Sequence, residues 1–207
     1  MDIEYRGENC VVVKCKKTII VVDPTSESSV KEVNNPETII LLTRSNSWAE
    51  KQKGFIVDMP GEYEHNDISV KGIAVHLHTD EAGKNSTMYR LECDGTRVAV
   101  IGHTDAPLSE DDLEKLGIID VVVVPVGGGG YTLDARDAAT IVRQITPKVV
   151  IPTHFADAHI KYEVPQEPVD EFVKTMGGNH EKANIFKAKG LGSLPESLTV
   201  VELARTA

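Results

Sequence analysis

The residues of this chain best placed to do chemistry are histidines at the ends of strand-like runs. Val149-Val150-Ile151 is apolar and β-branched, reads as a strand, and delivers Thr153-His154-Phe155 to its carboxyl end. Ligands of open α/β sheets bind at that end, which makes His154 a candidate for chemistry rather than for packing alone. His76 and His78 stand two apart on another strand-like run, so their rings share a face. A His-x-His pair on a strand can chelate a divalent metal. The competing reading is that one of the two is an ordinary surface side chain.

The elements that must position these residues are legible in the spacing. Asp120 to Pro125 is apolar nearly throughout and predicts a strand buried on both faces. Gly127 to Gly130 then allow a sharp turn, Thr132 is a plausible helix N-cap, and Ala135, Ala138, Ala139, Ile141, Val142 and Ile145 recur at helical spacing up to Pro147. Upstream, residues 3–6, 10–15 and 18–22 predict three short strands, and Thr38 to Leu42 a fully apolar one. Phe55–Met59, Gly61–Tyr63, Ile68–Val70 and Ile73–Leu77 predict further strands, and Asp94-Gly95 a two-residue hairpin turn between Met88–Cys93 and Val98–Ile101. Ser109 to Asp112 forms a capping box, Val169–Met176 a late helix, and Leu198–Leu203 a closing strand. Antiparallel strands first and strand-helix units later predict an α/β protein with two sheets face to face and helices outside.

Composition narrows the function classes. The chain has 207 residues, 41 % apolar and 26 % charged, enough to bury a full core; we expect one domain over residues 1–207. A net charge of −10 repels phosphate backbones, and no basic cluster with interleaved aromatics appears, which argues against general nucleic-acid binding. No basic-then-apolar leader follows Met1 and no apolar run approaches about eighteen residues, so the expectation is a cytoplasmic protein with no membrane partner. Cys10, Cys15 and Cys93 lack metal spacing and sit in strand-like runs, which predicts reduced core thiols.

The succession Val21-Val22-Asp23-Pro24, Ile40-Leu41-Leu42-Thr43, Pro60-Gly61-Glu62-Tyr63, Ile101-Gly102, Gly129-Gly130-Tyr131-Thr132-Leu133-Asp134-Ala135 and Ile151-Pro152-Thr153-His154 resembles the metallo-β-lactamase superfamily. Within it, the chain is similar to the short hydrolase-like branch related to L-ascorbate-6-phosphate lactonase. The resemblance implies a four-layer αββα sandwich with a dinuclear metal centre at one edge of the sheets, where water is activated for hydrolysis. It also implies metal ligands from a Thr-His-x-His-x-Asp-His motif. This chain instead reads Thr43-Arg44-Ser45-Asn46-Ser47-Trp48-Ala49. Arg44 and Asn46 stand at the positions of the first metal's pair, Trp48 and Ala49 at those of the second. Guanidinium, indole and methyl groups offer no lone pair to a metal. By the same resemblance His78 and His154 match later ligands, and His103 replaces a bridging aspartate. An imidazole presents one lone pair where a carboxylate presents two oxygens, so the bridge is missing.

Three readings stay open at this point. His78, His103 and His154 could hold a single divalent metal, zinc above all, with a free fourth position; Arg44 would repel it. Alternatively there is no cofactor, and Arg44 supplies the positive floor of a pocket for a small anionic ligand, making the chain a pseudoenzyme. Or Arg44 pairs with Asp23 or Asp134, the histidines are hydrogen-bonded core or rim residues, and no ligand is specific to the cleft; a scaffold that assembles as a homo-oligomer is a separate alternative. By resemblance Asp23, Tyr131, Thr132 and Asp134 lie at the pocket, and Trp48 fills space that relatives give to a metal and its water.

Overall fold

The computed structural model describes residues 1–26, 28, 30–77 and 86–206. The chain opens with an antiparallel meander, β1 (Asp2–Gly7), β2 (Cys10–Cys15) and β3 (Thr18–Val22), continued in parallel by β4 (Ile39–Leu41) and β5 (Phe55–Val57). The antiparallel run β6 (Gly61–His65), β7 (Ile68–Val75), β8 (Ser86–Cys93) and β9 (Thr96–Val100) begins the second sheet. Strand-helix units follow: α1 (Glu110–Leu116), β10 (Val121–Pro125), α2 (Ala135–Ile145), β11 (Val149–Thr153) and α3 (Val169–Met176). Last come β12 (Asn179–Ala183), β13 (Phe186–Lys187) and β14 (Thr199–Leu203).

Pairing sorts these strands into a six-stranded sheet, β13-β1-β2-β3-β4-β5, and an eight-stranded one, β12-β14-β11-β10-β9-β8-β7-β6. Alternation along each strand explains why the apolar runs are continuous. Val11, Val13, Ile20, Val22 and Leu41 meet Val121, Val123, Val149 and Ile151 between the sheets. The intervening residues face outward and are covered too. On the eight-stranded sheet Val122, Val124 and Val150 pack under Ala138, Ile141, Val142 and Phe172 of the α-helices. Each buried Val, Ile or Phe side chain there contributes roughly 1.5–3 kcal/mol by leaving water. On the six-stranded sheet Cys10, Val12, Val21 and Ile40 lie under Val33 and Ala49, which belong to short 3₁₀ turns at 31–34 and 49–51. Among the described residues the outer helical layer there is thus 3₁₀ rather than α.

Several expectations need correction. The two strands expected at Ile68–Val70 and Ile73–Leu77 are one, because Gly72 pairs in register with both Gly61 and Tyr89 and carries the ladder through. β12 and β13 were not foreseen; β12 is mostly polar and β13 is only two residues long, so neither shows an alternation, and backbone pairing with β14 and β1 defines them. The cap of α2 is Asp134, whose carboxylate accepts from the N–H groups of Arg136 and Asp137, not Thr132.

The cysteines differ most from expectation. Cys15 ends β2 and Cys93 ends β8, on facing sheets; both point into the space between them and are joined as a disulfide, with Cα atoms 5.7 Å apart. Cys10, an odd number of residues from Cys15, faces the other side of β2 and is a buried free thiol. A separation of 78 residues carries no spacing signal, which is why the pair is invisible in the sequence. Among the described residues no helix is long and apolar enough to cross a membrane.

Candidate functional site

Strand ends from both sheets converge on one cleft. The β1–β2 turn brings Glu8 and Asn9, the end of β3 brings Asp23, and the end of β4 brings Thr43 and Arg44. From the eight-stranded sheet come His103 after β9, Tyr131 after β10 and His154 after β11. Glu8, Asp23 and His154 have φ of 50°, 41° and 52°, the left-handed region that side chains rarely adopt. Such backbone cost concentrates at functional sites.

Two glycines permit the approach. A Cβ on Gly127 would lie 1.9 Å from the carbonyl oxygen of His154, so the glycine loop and the β11 end fit only without it. A Cβ on Gly102, which has φ of 62°, would lie 2.4 Å from Thr43 and push His103 away from the β4 end. The His154 N–H then donates to the Glu8 carbonyl at 2.7 Å, tying the two sheets together at the cleft.

Polar groups on the floor are interlinked. Asp23 is buried and accepts from the Thr43 N–H at 2.7 Å and from Thr43 Oγ1 at 2.6 Å. Burial pushes its carboxyl up to about 6, against the pull of the Thr43 hydrogen bonds and the Arg44 charge. Asn9 Nδ2 lies 3.1 Å from His103 Nδ1, and its Oδ1 accepts from Thr153 Oγ1 at 3.2 Å. Gln166 fixes the state of His154. Its amide nitrogen donates to the Val164 carbonyl, so its oxygen must face His154 Nδ1, at 3.0 Å. The proton of the neutral ring therefore sits on Nδ1, and Nε2 keeps a lone pair. Burial lowers the His154 pKa to about 4; the Gln166 hydrogen bond opposes that shift and the Arg44 charge adds to it.

An aromatic group lines the wall. The Arg44 guanidinium carbon lies 4.6 Å from the centre of the Tyr131 ring, a cation–π contact. Tyr131 sits 5.5 Å from the rings of both His103 and His154, those two are 5.9 Å apart, and Tyr162 flanks His154 at 5.5 Å. The deep lobe of the cleft encloses about 70 Å³ and opens into an outer lobe of about 260 Å³ that reaches Lys161, Tyr162 and Gln166.

The residues singled out in the sequence separate as follows. Asp23, Arg44, Asn46, Tyr131, His103 and His154 meet in the cleft. His78 lies outside the described residues. Trp48, expected to fill space in the cleft, is not part of its lining but packs half-buried against the Cys10, Val12 and Val21 cluster. Thr132 is buried away from the lining, and Asp134 is exposed and occupied with capping α2. Arg44 pairs with neither aspartate: among the described residues no carboxylate lies within 4.0 Å of its guanidinium. Asn46 uses its amide locally, accepting from the Trp48 and Ala49 N–H groups and donating to the Pro24 carbonyl. Glu8, Asn9, Thr25 and Gln166 were missed, since in sequence they are ordinary turn and loop residues.

As a metal site the cleft offers His103 and His154. Among the described residues the one set of three donor side chains within 4.8 Å of one another is Cys15, Cys93 and Asp94, far from here and consumed by the disulfide.

Comparison with known proteins agrees with this architecture. The sequence profile of the beta-lactamase superfamily domain matches residues 2–154. A UPF0173 protein of Pyrococcus furiosus is 26% identical over 185 residues, covering 75% of this chain and 83% of its own length. A UPF0173 metal-dependent hydrolase of Lysinibacillus sphaericus is 25% identical, with 75% of this chain and 85% of its own covered. Among solved structures, a Thermotoga maritima protein assigned as a Zn-dependent hydrolase of the metallo-beta-lactamase superfamily superposes with a TM-score of 0.76 at 26% identity, over 98% of this chain and 99% of that one. With its two facing sheets, strand-end cleft and matched profile, this chain belongs to the metallo-β-lactamase superfamily.

Proposed function

We propose that this chain uses the superfamily cleft to bind a small anionic ligand on Arg44, and that hydrolysis by two metals is lost. The observation that carries the reading is the guanidinium itself, placed over Tyr131 beside both histidines and free of any carboxylate partner among the described residues. A fixed cation with unused donors in a partly buried cleft is matched by a carboxylate or phosphate, which it can grip with two parallel hydrogen bonds. The donor set does not fit two metals. The Asn46 amide is committed to the Trp48 and Ala49 N–H groups and to the Pro24 carbonyl, Trp48 is in the outer layer, and Ala49 has no donor. His154, neutral and with Nε2 unprotonated, adds a hydrogen-bond acceptor suited to an acid's hydroxyl or to an ammonium.

Titration calorimetry with inorganic phosphate and ethyl phosphate tests this. Binding by the unmodified protein that weakens at least about tenfold in Arg44→Gln supports it; binding indifferent to Arg44 overturns it.

One specific observation favours a second reading, a mononuclear metal-dependent hydrolase. His103 and His154 have ring centres 5.9 Å apart, and relatives are named metal-dependent hydrolases. There His103 and His154, with His78, would hold one divalent ion, which would supply a Lewis acid. Metal analysis of protein purified without chelator separates the two: one equivalent of zinc, lost in His103→Ala, favours the hydrolase.

A further inference from the structure

We infer that the ligand of this cleft is a small zwitterion, its acid group on Arg44 and its ammonium on Glu8. The inference rests on the reading of Arg44 as an anion anchor and adds the second charge. Glu8 and Arg44 both line the deep lobe and the outer lobe, so any molecule filling either lobe meets both. Yet they do not neutralise each other, since their charged atoms are not within 4.0 Å.

Glu8 is held in place rather than swinging freely. It sits in a tight turn at φ 50°, its carbonyl oxygen takes the His154 N–H, and its Oε2 accepts from Thr25 Oγ1 at 3.0 Å. The remaining carboxylate oxygen has no donor among the described residues. Asp23, the other acid on the floor, is different: Thr43 occupies both of its oxygens. Lys161 and Glu163 at the outer lobe are exposed, opposite in sign and screened by solvent.

Opposite fixed charges facing one cleft select by repulsion as well as attraction. A plain anion is drawn to Arg44 and repelled by Glu8; a plain amine meets the reverse. A molecule carrying both signs satisfies both walls. The Tyr162 and His154 rings beside Glu8 give an ammonium a favourable aromatic surface. Phosphate and carboxylate share the chemistry that Arg44 recognises, so the experiment uses one pair of probes for each.

Calorimetry at neutral pH compares phosphoethanolamine with ethyl phosphate, and β-alanine with propionate. In at least one pair the zwitterion is expected to bind about tenfold tighter than its plain acid. Glu8→Gln keeps the side-chain shape and the oxygen facing Thr25, and is expected to abolish that preference, with the plain acid binding more tightly than in the parent because its repulsion by Glu8 is gone. Equal affinity within both pairs, with Arg44-dependent binding of the acids retained, overturns the zwitterion and spares the anion site. A preference that persists in Glu8→Gln also overturns the assignment. Absence of binding by all four probes removes both readings together.

Discussion

Thr43 holds the Asp23 carboxylate by two hydrogen bonds, its N–H on Oδ1 at 2.7 Å and its hydroxyl on Oδ2 at 2.6 Å, and so ties the end of β4 to the end of β3. Because burial outweighs these bonds, the folded-state pKa, about 6, lies above that of an unfolded aspartate. The folded protein therefore binds this proton more readily than the unfolded chain. The group's contribution to stability is full below about pH 4 and is lost as pH rises through about 6. Asp23→Asn removes the titration, so the variant should gain on the parent by on the order of 2–3 kcal/mol between pH 4 and pH 7. Urea denaturation of both proteins across that range checks it; parallel curves would refute the burial argument.

His154 is expected to remain neutral from pH 8 down to pH 5, with its midpoint at about 4. Here the folded state resists protonation, so stability falls as pH drops from about 6.5 towards 4. The causes can be separated by NMR titration of the ring. Gln166→Leu deletes a hydrogen bond that favours the charged ring and should lower the midpoint, whereas Arg44→Gln deletes a nearby cation and should raise it. Shifts of the opposite sign would mean that the cleft is arranged differently.

Gly127→Ala should be among the most damaging single substitutions in the chain, since the added methyl would meet a backbone oxygen, that of His154, at 1.9 Å. A loss of about 3 kcal/mol is expected, read as a drop in the denaturation midpoint. Gly130→Ala is the control: among the described residues beyond its chain neighbours no atom lies within 4 Å of the added methyl, and what strain remains comes from its φ of 72°. Equal effects at the two positions would contradict the close approach.

Thiol titration of the denatured, unreduced protein should find one free thiol, Cys10, and three after reduction. Closing a 78-residue loop stabilises a fold by about 4 kcal/mol in the chain-entropy account, so reduction should lower the melting temperature clearly. Three thiols without reductant would return the cysteines to the reduced state expected from the sequence.

Much of this molecule is written locally. Runs such as Val121–Val124 and Val11–Val13 are apolar at every position because both faces of each sheet are covered, and their strand character follows from β-branching alone. The α3 helix spans the expected Val169–Met176, and the hairpin at Asp94-Gly95 has both residues at positive φ, as the dipeptide predicts. The polar edge strand β12 has no such signature, because edge pairing is made by the backbone and asks little of side chains that are mostly exposed.

Local pattern fixes most of the strands, the ends at which Asp23, Arg44, His103 and His154 sit, and the donors those side chains can and cannot offer. Which other groups share their cleft follows from how distant strands pair. Sheet pairing places the β1–β2 turn against the end of β11, so that Asn9 meets Thr153 across 144 residues and Glu8 faces Arg44 across the cleft. The physical reason is that periodicity reports how deeply a residue is buried. Which strand ends meet is set by backbone hydrogen bonds between distant segments, and those leave no mark on the residues that they bring together.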